Sequence, residues 1–87
     1  MESCRVDKWL WATRLYKTRS LATAACKAGK VKIDGANAKA ARTVTPGVVV
    51  TARKDGIVRT VKVIAMLDKR VGAKLVPDYL EDLTPVE

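Results

Sequence analysis

Arg5-Val6-Asp7-Lys8-Trp9-Leu10-Trp11, then Lys17-Thr18-Arg19-Ser20, then Gly29-Lys30-Val31-Lys32-Ile33-Asp34-Gly35 are the stretches that decide the fold. Val6, Trp9, Leu10 and Thr13 follow the i, i+3, i+4, i+7 spacing of a helix with one inward face. Lys8, Ala12, Leu15 and Trp11 fall off that stripe. The helix is expected to start near Arg5 or Val6, with Ser3 as its cap and Asp7 suiting the positive end of the helix, and to end near Tyr16. Lys17 is a linker. Thr18 is a good cap for a second helix over residues 19–28, whose small inner face would be Leu21, Ala22, Ala25, Cys26 and Ala28. Gly29 takes the left-handed conformation that stops a helix. Val31 and Ile33 then alternate with Lys32 as a strand.

Working outward, Asp34-Gly35 is a tight hairpin signal with residues 36–38 as the returning strand. Residues 39–44 read as polar and irregular, and Thr45-Pro46-Gly47 as a turn. Residues 48–52 form a strong strand. Lys54-Asp55-Gly56 is a second hairpin turn, and residues 57–66 return from it. Beyond residue 67, Pro77 and Pro85 interrupt an apolar scatter that fits either a short helix near residues 78–83 or a frayed segment. The fold class is α+β. Two N-terminal helices, meeting in a helix-turn-helix-like corner, pack on a small antiparallel sheet, with a short C-terminal tail or helix. Residues 1–66 make the domain and residues 67–87 an acidic C-terminal tail.

The chain has 87 residues, enough for one small domain. A domain of this size buries only about 60–65% of its unfolded surface, which leaves room for a binding face but little for an enzyme pocket with its supporting shell. The net charge is +8, and it is unevenly spread. Residues 1–62 hold 14 Lys and Arg against 4 Asp and Glu, whereas residues 63–87 hold 3 against 5. The basic part favours phosphate-rich partners. Cys4 and Cys26 are too few for a disulfide framework, and Cys26, among small apolar residues, reads as a buried thiol. With no His there is no metal-ligand spacing, so no metal and no cofactor is expected. Nucleophile–base pairs, paired carboxylates and a Gly-rich phosphate loop are also missing, which argues against an enzyme. No signal peptide and no membrane-spanning run is legible, so the expected location is the cytoplasm.

The ordered set Arg5-Val6-Asp7-Lys8-Trp9-Leu10-Trp11, Arg14-Leu15, Lys17-Thr18-Arg19-Ser20, Ala22, Gly29-Lys30-Val31, Gly35 and Lys39 resembles the RNA-binding domain named after ribosomal protein S-four, also called the αL motif. The subgroup it looks most like is the small ribosome-associated heat-shock protein fifteen family, through Asp7 to Trp11 and Tyr16 to Arg19. The resemblance covers residues 5–52 well and 53–65 loosely. It implies binding of structured RNA, either ribosomal RNA or a tRNA on the large ribosomal subunit; a non-catalytic monomer is expected. A role in the stress response or in recycling stalled subunits follows from the same resemblance. The sequence departs from the family pattern at Asp34, often Asn; at Ala40-Ala41, often Pro-Ser; and at Thr23, often basic, with Lys27 restoring charge one turn on. A long, basic C-terminal extension seen in the subgroup is not present in this sequence.

The candidate RNA-binding residues are Arg5, Lys8, Lys17, Thr18, Arg19, Lys27, Lys30, Lys32 and Lys39. The start of the second helix offers unpaired amides and a partial positive charge, to which Arg19 adds a bidentate fork and Lys17 a second cation. The plainer reading of Thr18 is a helix cap, and of Arg5 a partner for Asp7. Lys30 and Lys32 share strand parity and project to one side. Arg53 and Lys54 read as remote charges. Aromatics are few, so recognition by shape and phosphate is expected rather than base stacking. Two other readings compete: a protein-interaction adaptor using the C-terminal tail, and nonspecific DNA binding.

Overall fold

The computed structural model describes residues 3–67 and 70–84. Of the expected lead and tail, residues 1–2, 68–69 and 85–87 lie outside the described residues. The first helix, α1 (Val6–Ala12), is a turn shorter than the periodicity predicts. Arg14 takes a left-handed φ of 65°. Its amide then bonds the Trp11 carbonyl at 3.1 Å and the Leu15 amide bonds the Leu10 carbonyl at 3.0 Å. That pair of bonds is a Schellman closure. Leu15 and Tyr16 therefore enter the core from a turn, and Ala12, also expected off the inner stripe, is fully buried.

Ser3 does not cap this helix. Arg5 occupies the cap position without a side-chain capping bond. The first helical amides are instead taken by a later loop, with Val6 donating to the Arg42 carbonyl at 2.7 Å and Asp7 to the Ala40 carbonyl at 3.4 Å. A buried helix start must satisfy these donors somehow. The loop is held in place by strand β1 (Cys4–Arg5), which pairs antiparallel with a short strand at Thr43–Val44. Part of the segment expected to be irregular is thus strand.

The second helix, α2 (Arg19–Lys27), is capped by Thr18, whose Oγ1 accepts the Leu21 amide at 3.1 Å. Gly29, at φ 75°, closes its other end as expected. Ala22, Ala25 and Cys26 are the buried face of α2, which packs on α1. Leu21 and Ala28, expected on that face, are exposed. At 100° per residue they lie about 100° round the helix from the buried stripe.

The main sheet is antiparallel throughout. Its strands are β2 (Val31–Ile33), β3 (Ala36–Asn37), β5 (Val49–Lys54), β6 (Ile57–Val63) and β7 (Leu80–Asp82), with Thr43–Val44 being β4; the order across the sheet is β3-β2-β5-β6-β7. Asp55 and Gly56 both have positive φ, 52° and 78°, between paired Lys54 and Ile57. This is the tight two-residue turn whose twist suits a hairpin. The expected helix near residues 78–83 is not formed. A 3-10 helix runs over Ala73–Asp78, and Leu80–Asp82 is then a strand on the edge of β6. Pro77 hinders a longer helix, and the open β6 edge offers backbone partners to a segment whose Leu80 points inward and Glu81 outward.

One face of the sheet, through Val31, Ile33, Val50, Ala52, Val61, Val63 and Leu80, packs with Val6, Trp9 and Leu10 of α1 as the core. Trp9 is fully buried, and its indole N–H donates to the Ala65 carbonyl at 3.2 Å. Cys4 and Cys26 are free and buried, and burial pushes the Cys26 thiol up to about 11. No described helix is long and apolar enough to cross a membrane.

Candidate nucleic-acid interface

The corner between the helices is built around one carboxylate. Asp7 is 1% exposed, yet its oxygens receive groups from both helices. Arg5 Nε lies 3.2 Å from Oδ1 and its terminal nitrogen 3.0 Å from Oδ2. The Lys8 amide donates to Oδ1 at 2.7 Å. From α2, the Thr23 hydroxyl lies 3.1 Å from Oδ2 and Arg19 approaches to 3.6 Å. Burial pushes the Asp7 carboxyl up, but the hydrogen bonds from Arg5, Thr23 and the Lys8 amide outweigh it and hold the carboxyl below its ordinary value. Asp7 therefore stays ionised and ties two guanidiniums in place, while each remains nearly half exposed, at 49% for Arg5 and 46% for Arg19. Both the pairing and the outward presentation of Arg5 are present at once.

A shallow groove of about 480 Å³ runs along this corner, lined by Arg5, Arg19, Ser20, Thr23 and Lys27 around Asp7. Thr23 gains a structural reason here. Its hydroxyl, near both Asp7 and the Arg19 carbonyl at 3.0 Å, pins the start of α2 to α1. Three of the expected cations, Arg5, Arg19 and Lys27, thus share one groove.

Lys17 and Lys30 stand on the other side of α2. They line a second groove with Arg53, Lys54 and Leu21. The expectation that Arg53 and Lys54 are remote is overturned. The Arg53 amide donates to the Lys30 carbonyl at 2.9 Å, and the Tyr16 hydroxyl donates to the Arg53 carbonyl at 2.9 Å. Lys54 Nζ lies 6.0 Å from the centre of the Tyr16 ring. Sequence separation hid this grouping, and only the β2–β5 pairing of Val31 with Ala52 reveals it. Lys32 projects from the open sheet face beside Thr51 and Arg53, on the same side as Lys30.

Lys8 is half-buried on α1 and lines neither groove, and Thr18 spends its oxygen on the helix cap. Lys39 is exposed in the loop that closes the start of α1, where Arg42, which sequence reasoning passed over, also stands next to the β1 pairing. Among the described residues, no group of three His, Cys, Asp or Glu side chains is arranged to hold a metal.

Comparison with known proteins adds the decisive observation: the family model for the S4 domain matches residues 4–50, more than half of the chain. The chain belongs to the S4 domain family. Heat shock protein 15 homolog of Haemophilus influenzae is 44% identical over 79% of this chain and 53% of its own length. RQC P-site tRNA stabilizing factor of Bacillus subtilis is 39% identical over 74% of both chains. The trimeric structure of Vibrio cholerae heat shock protein 15 superposes with a TM-score of 0.87 at 38% identity, covering 93% of this chain and 82% of that one. The chain spans about half the length of the heat shock protein 15 relatives it matches. All nine expected residues fall inside the matched S4 region. Arg53 and Lys54 lie just past its end, although the fold sets them beside Lys17 and Lys30.

Proposed function

We propose that this S4 domain is a non-catalytic RNA-binding protein that recognises structured RNA by its phosphate backbone. The observation that carries this reading is the pair of half-exposed guanidiniums, Arg5 and Arg19, anchored on one buried carboxylate at the corner of two helices. A guanidinium forks onto phosphate oxygens, and one held in position loses less entropy on binding than a free one. The α2 amides add their partial charge at the same place. Arg5, Lys8, Lys17, Thr18, Arg19, Lys27, Lys30, Lys32 and Lys39 make up the proposed contact set, and the fold adds Arg53 to it. One relative is named a heat shock protein and another a P-site tRNA stabilizing factor, which supports a stress-linked role and a tRNA as partner; ribosomal RNA or a tRNA on the large subunit, and recycling of stalled subunits, are the finer parts of this proposal.

Fluorescence anisotropy with a folded RNA hairpin, titrated against salt, tests the reading. Neutralising about five phosphates gives a log-affinity against log-salt slope of about −3.5 to −4.5. Absence of binding at low salt, or unchanged binding by a Lys17→Glu, Arg19→Glu double variant, overturns it. Competition by duplex DNA of equal phosphate count separates RNA recognition from nonspecific DNA binding. Sedimentation with and without RNA tests whether the acting form is a monomer, as this reading holds.

A further inference from the structure

The groove between α2 and the end of the β5–β6 hairpin carries a large aliphatic side chain that the Asp7 corner does not. The corner groove is lined by two arginines, two hydroxyls, a lysine and Ala24 around Asp7. This one combines Leu21 and three alanines with four cations. Leu21, 48% exposed, lines it, and Ala24 and Ala28 line it with side chains too small to fill the space. Lys17, Lys30, Arg53 and Lys54 surround it, against one carboxylate, Asp55, among the described lining residues. Its volume of about 480 Å³ falls within the range of ordinary small-ligand clefts, roughly 300–1,000 Å³.

Its walls are fixed. Thr18 and the Leu21 amide lock the first turn of α2 at 3.1 Å, and the Tyr16 hydroxyl holds the strand wall through the Arg53 carbonyl at 2.9 Å. Tyr16 is itself buried, with Lys54 above its ring, so its face is not available for stacking. The apolar contact this groove offers comes from Leu21 and its alanine neighbours.

A phosphate gains nothing from a leucine side chain. A ligand that fits both parts has a flat, weakly polar ring with anionic groups on either side. In RNA that description fits one unstacked nucleobase with its flanking phosphates. We infer that the Leu21 groove receives a single unpaired base, extruded from a bulge or loop of the bound RNA, while Lys17, Lys30 and Arg53 hold the phosphates beside it. This rests on the RNA-binding reading above and deepens it, because it makes a local irregularity of the RNA, and not shape alone, part of what is recognised. Unpaired bases are the part of folded RNA that proteins reach most readily.

The test uses the full chain and two RNA hairpins, identical except for one bulged adenosine, at equal salt. A third hairpin carries 2-aminopurine at the bulge. The bulged hairpin is expected to bind about five- to tenfold more tightly than the paired one, and the 2-aminopurine emission to change on binding. Leu21→Ser, at an exposed position and checked by an unchanged melting temperature, is expected to remove that preference while leaving affinity for the paired hairpin as it was. Equal affinity for both hairpins, a silent 2-aminopurine signal, or an equal loss on both RNAs in Leu21→Ser overturns the inference and leaves the RNA-binding reading intact. Failure of both hairpins to bind at low salt overturns that reading, and the groove assignment with it.

Discussion

The Asp7 carboxylate on α1 lies 3.6 Å from the Arg19 guanidinium at the start of α2, close enough for an ion pair and too long for a hydrogen bond. Asp7 is buried and Arg19 is not, so the carboxylate is a fixed point around which the guanidinium is aimed. Arg5 meets the same carboxylate through two shorter contacts. A single acidic residue thus organises two basic ones from different elements.

Replacing Asp7 separates aim from charge. Asp7→Ala raises the net charge by one, and long-range attraction alone would tighten RNA binding. Loss of the anchor frees both arginines and leaves the Lys8 amide and the Thr23 hydroxyl with fewer partners. We expect weaker RNA binding in anisotropy titrations, together with a stability loss of about 1–3 kcal/mol in urea unfolding. Tighter binding would show that the arginines act only as charge.

Acid sensitivity follows from the same kind of pairing at the other end of the sheet. Asp82 is held down to about 2 by its hydrogen bonds from Thr84 and then by Arg59, which lies 2.8 Å away. A carboxyl with a depressed folded-state value contributes stability above its unfolded value of about 3.9 and loses it as pH falls toward the folded one. Asp7, also lowered, adds to the same trend. Denaturant midpoints are expected to fall between about pH 4 and pH 2, and less steeply in Asp82→Asn. Because Asp82 is half exposed, its share is small and shrinks further with salt.

Arg53 gives a test of the regrouped cations. If it contacts a phosphate, Arg53→Ala weakens binding and reduces the magnitude of the salt slope by about 1. Arg59, also of β6–β5 register but paired with Asp82, is the control, and Arg59→Ala is expected to leave the slope unchanged.

Leu80 tests whether the C-terminal segment can be treated as an appendage. It is 6% exposed and pairs with Val63 in the sheet. Leu80→Ala is expected to cost about 2–5 kcal/mol in denaturant unfolding, with RNA affinity of the folded fraction unchanged. Removing residues 76–87 would strip β7 from the sheet, so loss of a cellular association in that deletion would reflect instability as well as any lost partner.

What was legible in the sequence depended on the range of the interaction that decides each feature. Thr18 and Gly29 mark α2 because cap and stop are local, and Asp34-Gly35 and Asp55-Gly56 mark their hairpins for the same reason. The end of α1 was hidden because Arg14 carries no sign that it will adopt a left-handed conformation, and the apolar Leu15 and Tyr16 prolong the helical pattern. β1, β4 and β7 are two or three residues long, too short to show alternation, and exist only through partners distant in the chain. The basic residues were visible as residues, whereas their division between two grooves depends on strand pairing.

The sealing of the first helix also sets a timetable. Its leading amides wait for the carbonyls of Ala40 and Arg42, and the Trp9 indole waits for Ala65, 56 residues further along the chain. During synthesis from the N-terminus, the helical corner therefore emerges well before the segments that complete it. The nascent chain would hold these basic residues unassembled until most of the domain has left the ribosome, so that the grooves they line take shape late in synthesis.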